Sequence, residues 1–174
     1  MSRQWYQDYK KMNNINTDNI NFAQWLSYPG STTKRLKKYG LSLSIDILFE
    51  EQRNIFDEDQ GKCFIWYRET ILYVAELPWM WAKTYIPIES YMQYKKKFDS
   101  LNNSSIGNIL FAEKNTERKN MLYTNTTIDN TFPQQCHNHI GENCIIRKSN
   151  LIWQRSNITL KECFLPHKCT GNIK

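Results

Sequence analysis

From Leu41 to Phe49 every second residue is apolar: Leu41, Leu43, Ile45, Ile47 and Phe49 share one face, while Ser42, Ser44, Asp46 and Glu50 share the other. A period of two is the signature of a strand with one side on a core. The acidic stretch EEQRNIFDEDQGK that follows reads as a loop. Two further pairs of β-rich runs come after it. CFIWYRETILYVAE and WMWAKTYIP meet around Glu76-Leu77-Pro78, and CIIRKSNLIW and ITLKECFL are joined by Gln154-Arg155-Ser156-Asn157. Each pair reads as a hairpin, which makes the pairing antiparallel.

Helical signals lie early and in the middle of the chain. Asp18 can cap a helix through Phe22, Ala23, Trp25 and Leu26 that Pro29-Gly30 stops, and Ser31 opens a second one, TTKRLKK, closed by Gly40. Residues 89 to 100 are helical in pattern, and Ser104 or Ser105 can cap a short helix through Ile106, Ile109 and Leu110. The expected class is α+β, with one principal antiparallel sheet and helices beside it. No repeat or internal boundary divides residues 1–174, so a single domain is expected, with a polar, insert-like segment at about 115–143.

Two charges fall on apolar strand faces. Arg68 shares its face with Phe64, Trp66, Leu72 and Val74, and Glu162 shares its own with Ile158, Leu160 and Phe164. A buried ion without a partner costs several kcal/mol, on the order of 3–5 when a pair is broken. Two readings follow: an Arg68–Glu162 ion pair inside a core, or a pocket whose polar ends are these residues.

The order of segments STTKR, WYRETIL, LPWMWAKTYIP, SSIGNILF and LKECFLP resembles the bacterial chorismate lyase family over roughly residues 20 to 166. That resemblance implies a six-stranded antiparallel sheet with helices on one side and an enclosed site covered by flaps. It implies conversion of chorismate to 4-hydroxybenzoate and pyruvate, toward ubiquinone, without metal or organic cofactor. It places Arg68 at a carboxylate and Glu162 at the phenolic hydroxyl, with further contacts at Thr32 and Ile106, largely through backbone amides. The sequence departs from the family pattern at Thr32, Ile106 and Asn108, and Lys83 stands where the family has arginine. Lys83, Lys34 or Arg35 are the candidates for the substrate's second carboxylate. In an apolar pocket the pKa of Glu162 should rise, which would suit it to proton transfer.

Other chemistries fit less well. The formal charge of +6 is spread among Asn and Ile rather than gathered in a stripe, so no nucleic-acid partner is expected. No run approaches a membrane span, and the start, MSRQWYQDYKKMNN, lacks an apolar signal core. A cytoplasmic monomer, without stable membrane insertion, is the expectation. Cys63, Cys136, Cys144, Cys163 and Cys169 form an odd set that suits reduced thiols, and the sequons are inert in that compartment. Cys136, His137, His139 and Cys144, with Cys163, His167 and Cys169, match no zinc spacing, and no metal site is expected. The non-catalytic alternatives are a hydroxybenzoate-type sensor domain of the same fold and a degenerate lyase that binds without turnover.

Overall fold

A computed structural model of the chain describes residues 4–12, 24–57, 61–112 and 116–166. Six strands form one antiparallel sheet: β1 (Leu43–Asp57), β2 (Gly61–Val74), β3 (Leu77–Pro87), β4 (Glu117–Thr127), β5 (Asn143–Trp153) and β6 (Ser156–Phe164). Their spatial order is β1-β2-β3-β6-β5-β4, so the second hairpin returns to lie beside the first. The expected α+β class with one antiparallel sheet is what the chain adopts.

Both inner hairpins close on two-residue turns whose central residues have positive φ, Ala75-Glu76 and Gln154-Arg155. That geometry matches the twist of the flanking strands. Leu77, Pro78, Ser156 and Asn157, expected in the turns, belong to the strands instead.

Two stretches read as loop are strand. Residues 50–57 extend β1, because an edge strand exposes one face and so tolerates charge: Arg53 lies 3.3 Å from the centroid of the Tyr67 ring. Within the polar segment at 115–143, residues 117–127 form β4, the opposite edge. It buries the polar side chains of Arg118 and Thr124 as well as Tyr123, so no strong alternation announces it.

The helices are short and lie on one face of the sheet. They are α1 (Thr32–Lys38), α2 (Ile88–Gln93), α3 (Lys95–Asp99) and α4 (Gly107–Leu110). Ser31 caps α1 through its side-chain oxygen on the Lys34 amide, and Gly40 follows in the left-handed region at φ 71°. The helical pattern of 89–100 breaks at Tyr94 into α2 and α3. Of the first expected helix, Asp18, Phe22 and Ala23 lie outside the described residues; residues 24–26 form a helical turn.

The helical face carries two apolar clusters. One gathers Trp25, Leu26, Leu36, Leu72, Trp79 and Phe164, and the other Trp66, Tyr91, Phe98, Leu110 and Trp153. On the reverse face, Ile128, Phe132 and Cys136, from the segment between β4 and β5, pack on Ile71, Cys144 and Cys163. No helix among the described residues is long and apolar enough to cross a membrane.

Candidate active site

Between the two apolar clusters, the sheet is polar. Arg68 and Thr70 on β2, Thr84 on β3 and Glu162 on β6 line a cavity closed from above by α1 and residues 104–111. Its volume is about 50 Å³, room for a few waters and below the several hundred Å³ of usual ligand pockets. Admission of an aromatic ring therefore requires α1 and 104–111 to part. Those two walls are tied by Lys34 Nζ on the Phe111 carbonyl (2.6 Å) and Thr33 Oγ1 on Ser105 Oγ (3.0 Å). Gly107 permits their close approach, since a Cβ there would sit 2.7 Å from Ser31 Oγ.

Four of the residues singled out in the sequence, Thr32, Arg68, Ile106 and Glu162, meet on this cavity. Arg68 and Glu162 do not pair with each other. Their backbones are two strands apart, about 10 Å, and each has its own counter-charge.

Arg68 is 1% exposed, and its Nη1 donates to Glu50 Oε2 at 2.8 Å. Nη2 donates to the carbonyls of Asn102 (2.6 Å) and Ser104 (3.0 Å). Nε is buried and has no acceptor among the described residues. Burial lowers the pKa of Arg68 and Glu50 opposes that shift. The alternation of β1 would put Glu50 on the reverse face. A bulge between Ile47 and Phe49 adds one residue, so Glu50 comes opposite Arg68 on the cavity side.

Glu162 is 3% exposed and clamped by two arginines that the sequence reading passed over. Arg147, directly opposite on β5, approaches Oε2 with both Nε and Nη2 at 2.8 Å. Arg118 on β4 reaches the same oxygen with Nη1, also at 2.8 Å. Among the described residues, Oε1 receives only the longer bond from Thr32 Oγ1, at 3.3 Å. Burial pushes the Glu162 pKa up, but the charges and hydrogen bonds of Arg118 and Arg147 outweigh it, and the net shift is downward. The expected rise is thus reversed: the carboxyl is held as an anion.

Parity could have found Arg147, which shares its face with Ile145, Ser149, Leu151 and Trp153. Arg118 was hidden by a second bulge, between Lys119 and Leu122, which lets it share a face with Tyr123.

The remaining cations lie elsewhere. Lys83 is on the reverse face, its Nζ 4.2 Å from the Trp81 ring centroid and 4.0 Å from Glu69 Oε2; strand alternation alone carries it away from the cavity. Arg35 lies over Trp25 and Tyr28, and Lys34 is spent on Phe111. Cys136, Cys144 and Cys163 are buried thiols, Cys163 Sγ lying 3.1 Å from Cys144 Sγ, while His137 bonds the Phe132 carbonyl and His139 bonds Glu142. Among the described residues no three such side chains are placed to hold a metal. His167 and Cys169 lie outside them.

Residues 4–170 match the family described as Chorismate lyase. The chain belongs to the chorismate lyase family. Among chorismate lyase relatives, it is 33% identical over 93 residues to a "Probable chorismate pyruvate-lyase" of Shewanella sp., covering 53% of this chain and 50% of that one. It is 25% identical over 154 residues to a "Chorismate pyruvate-lyase" of Pectobacterium carotovorum, covering 83% and 76%. The chain spans about half the length of the first curated relatives it matches. Among solved structures, the effector domain of PhnF from Mycobacterium smegmatis aligns with a TM-score of 0.60 at 13% identity, over 80% of this chain and 90% of that one. The C-terminal domain of the histidine utilization repressor from Pseudomonas syringae aligns at 0.51 and 9%, over 71% and 92%. At such identities the likeness is one of fold.

Proposed function

We propose that this chorismate lyase family member is a chorismate pyruvate-lyase, converting chorismate to 4-hydroxybenzoate and pyruvate, the ring acid that ubiquinone synthesis consumes. The observation that carries this reading is a cavity with a buried arginine at one end and a buried, ionised glutamate at the other.

Arg68 takes the ring carboxylate. Its orphaned Nε–H and the second hydrogen of Nη1 are the available donors, because Glu50 and two carbonyls hold the rest. A buried donor without an acceptor costs roughly 1–3 kcal/mol, and a ligand carboxylate relieves that cost. Thr32 opens α1, so its amide lacks an intrahelical acceptor and can serve the same ligand, with Ile106 walling the ring.

Glu162 faces the ring hydroxyl. As an anion it accepts that hydrogen bond and is poorly suited to donate a proton. The reaction breaks the bond from ring carbon to ether oxygen, and the hydrogen on the hydroxyl-bearing carbon leaves as a proton while the enolpyruvyl methylene gains one. Clamped by Arg118 and Arg147, with its pKa lowered, Glu162 is also a weak base, so we assign the transfer to the bound substrate itself and to the protein the holding of the reacting conformer. Aromatisation supplies the driving force.

The test is to mix the full chain with chorismate and quantify both products. Equimolar pyruvate and 4-hydroxybenzoate above the uncatalysed rate, lost in Arg68→Met, supports the reading. Tight binding of 4-hydroxybenzoate without turnover would instead make the chain a binding module of the same fold.

A further inference from the structure

Two arginines surround one carboxylate at the Glu162 end of the cavity. Arg118 and Arg147 have side chains 1% and 0% exposed, and both share Glu162 Oε2. The group therefore carries an excess positive charge out of water, which is costly unless an anion completes it.

The two cations are not equivalent. Arg147 is spent on the protein: Nη1 serves the carbonyls of Trp25, Leu26 and Tyr28, Nη2 serves Thr32 Oγ1 and Glu162, and Nε serves Glu162. It does not line the cavity. Arg118 does. Its Nε donates to the Pro29 carbonyl (3.0 Å), and Nη1 to Ser149 Oγ (2.6 Å) and Glu162 (2.8 Å). Nη2 makes one long contact with the Gly30 carbonyl, 3.5 Å, so among the described residues one of its hydrogens has no acceptor.

Resting on the lyase reading, we propose that Arg118 is a substrate-binding residue that takes the second carboxylate, so that the site is built for a dianion. In chorismate the ether that carries this carboxylate is on the carbon next to the one bearing the hydroxyl. With the ring carboxylate on Arg68 and the hydroxyl on Glu162, the second carboxylate falls at the Glu162 end, where that glutamate would repel it. Arg118 removes the repulsion and supplies a charge-assisted donor. After the ether breaks, pyruvate carries that carboxylate away and the retained product is a monoanion.

The experiment compares three ligands on the full chain by calorimetry: 4-hydroxybenzoate, 3-(carboxymethoxy)-4-hydroxybenzoate, and the neutral amide of the latter's side arm. The wild type is expected to prefer the diacid over the amide by about tenfold or more. Arg118→Gln is expected to erase that preference while 4-hydroxybenzoate affinity changes less than about threefold, and Arg118→Lys to restore part of it. Equal affinity of the wild type for diacid and amide, or a parallel loss of all three ligands in Arg118→Gln, overturns the proposal. If the Gln variant does not fold, the wild-type and Lys comparisons decide. A wild type that binds the diacid preferentially but never turns over chorismate sinks the lyase reading and leaves the dianion site standing.

Discussion

Arg147 and Glu162 face each other across β5 and β6, with two nitrogens of the arginine each 2.8 Å from one oxygen of the glutamate. The same guanidinium also holds the carbonyls of Trp25, Leu26 and Tyr28. One residue thus fastens the segment that leads into α1 to the sheet beneath it. Arg147→Met strips the buried carboxylate of a partner and three carbonyls of a donor. A loss of about 3–5 kcal/mol is expected, read as a lowered midpoint in urea with an unchanged slope.

The downward shift of Glu162 fixes the sign of a pH effect. A carboxyl whose folded pKa lies below its unfolded one contributes stability that is complete above the unfolded value, about 4.3, and is lost as pH falls through the folded value. The difference in unfolding free energy between wild type and Glu162→Gln should therefore be flat from neutrality to about pH 5 and shrink in stronger acid. The pH profile of kcat/KM should show no limb near pH 6–7 that this substitution removes. Such a limb would mean that Glu162 titrates near neutrality and carries a proton.

Glu50 competes with ligand for Arg68. Its side chain is 32% exposed but that of Arg68 only 1%, so its removal strips a buried guanidinium of its counter-charge and should cost about 3 kcal/mol of stability. Without it, Arg68 regains an Nη1 hydrogen and a more positive field. Glu50→Ala should bind 4-hydroxybenzoate several-fold more tightly, by the charge-assisted bond it frees. Unchanged or weaker binding in a titration would show that Glu50 instead positions the guanidinium.

Lys34 holds the cavity shut through an exposed bond to Phe111. Lys34→Met should leave stability within about 0.5 kcal/mol while raising both association and dissociation rates of 4-hydroxybenzoate. Stopped-flow fluorescence of the buried tryptophans reads these rates. Identical rates in the variant would locate the entrance elsewhere.

Glu76 occupies the left-handed region at φ 67° in the turn between β2 and β3. Glycine there is free of the penalty of roughly 1–2 kcal/mol that other residues carry, though it enlarges the unfolded ensemble. Glu76→Gly should stabilise by about 1 kcal/mol, a melting temperature higher by about 2–4 °C.

Much of the fold was legible because four inner strands obey a period of two and meet at short turns. Arg68 and Glu162 stood out on two of those strands as charges among apolar neighbours, and both reach the cavity. The edge strands were harder to read. The second half of β1 and both ends of β4 are mostly polar, since one side of each faces water, and composition alone resembles a loop there. Lys83 misled for the opposite reason: alternation with Trp81 and Tyr85 is uninterrupted, and it was the face, not the strand, that needed deciding. Which counter-charge each buried ion takes depends on contacts between residues far apart in the chain, such as Thr32 with Glu162.

Both bulges that bring Glu50 and Arg118 to the cavity side of the sheet are in the outermost strands, while the residues they neutralise stand on inner ones. A single inserted or deleted residue at either edge would invert which side chains look inward beyond it, yet leave the two central hairpins in register. Recognition in this sheet is therefore adjustable by chain length as well as by substitution. Relatives that share the inner strands can differ in ligand charge through a one-residue gap at a rim, a change that a position-by-position comparison of side chains would overlook.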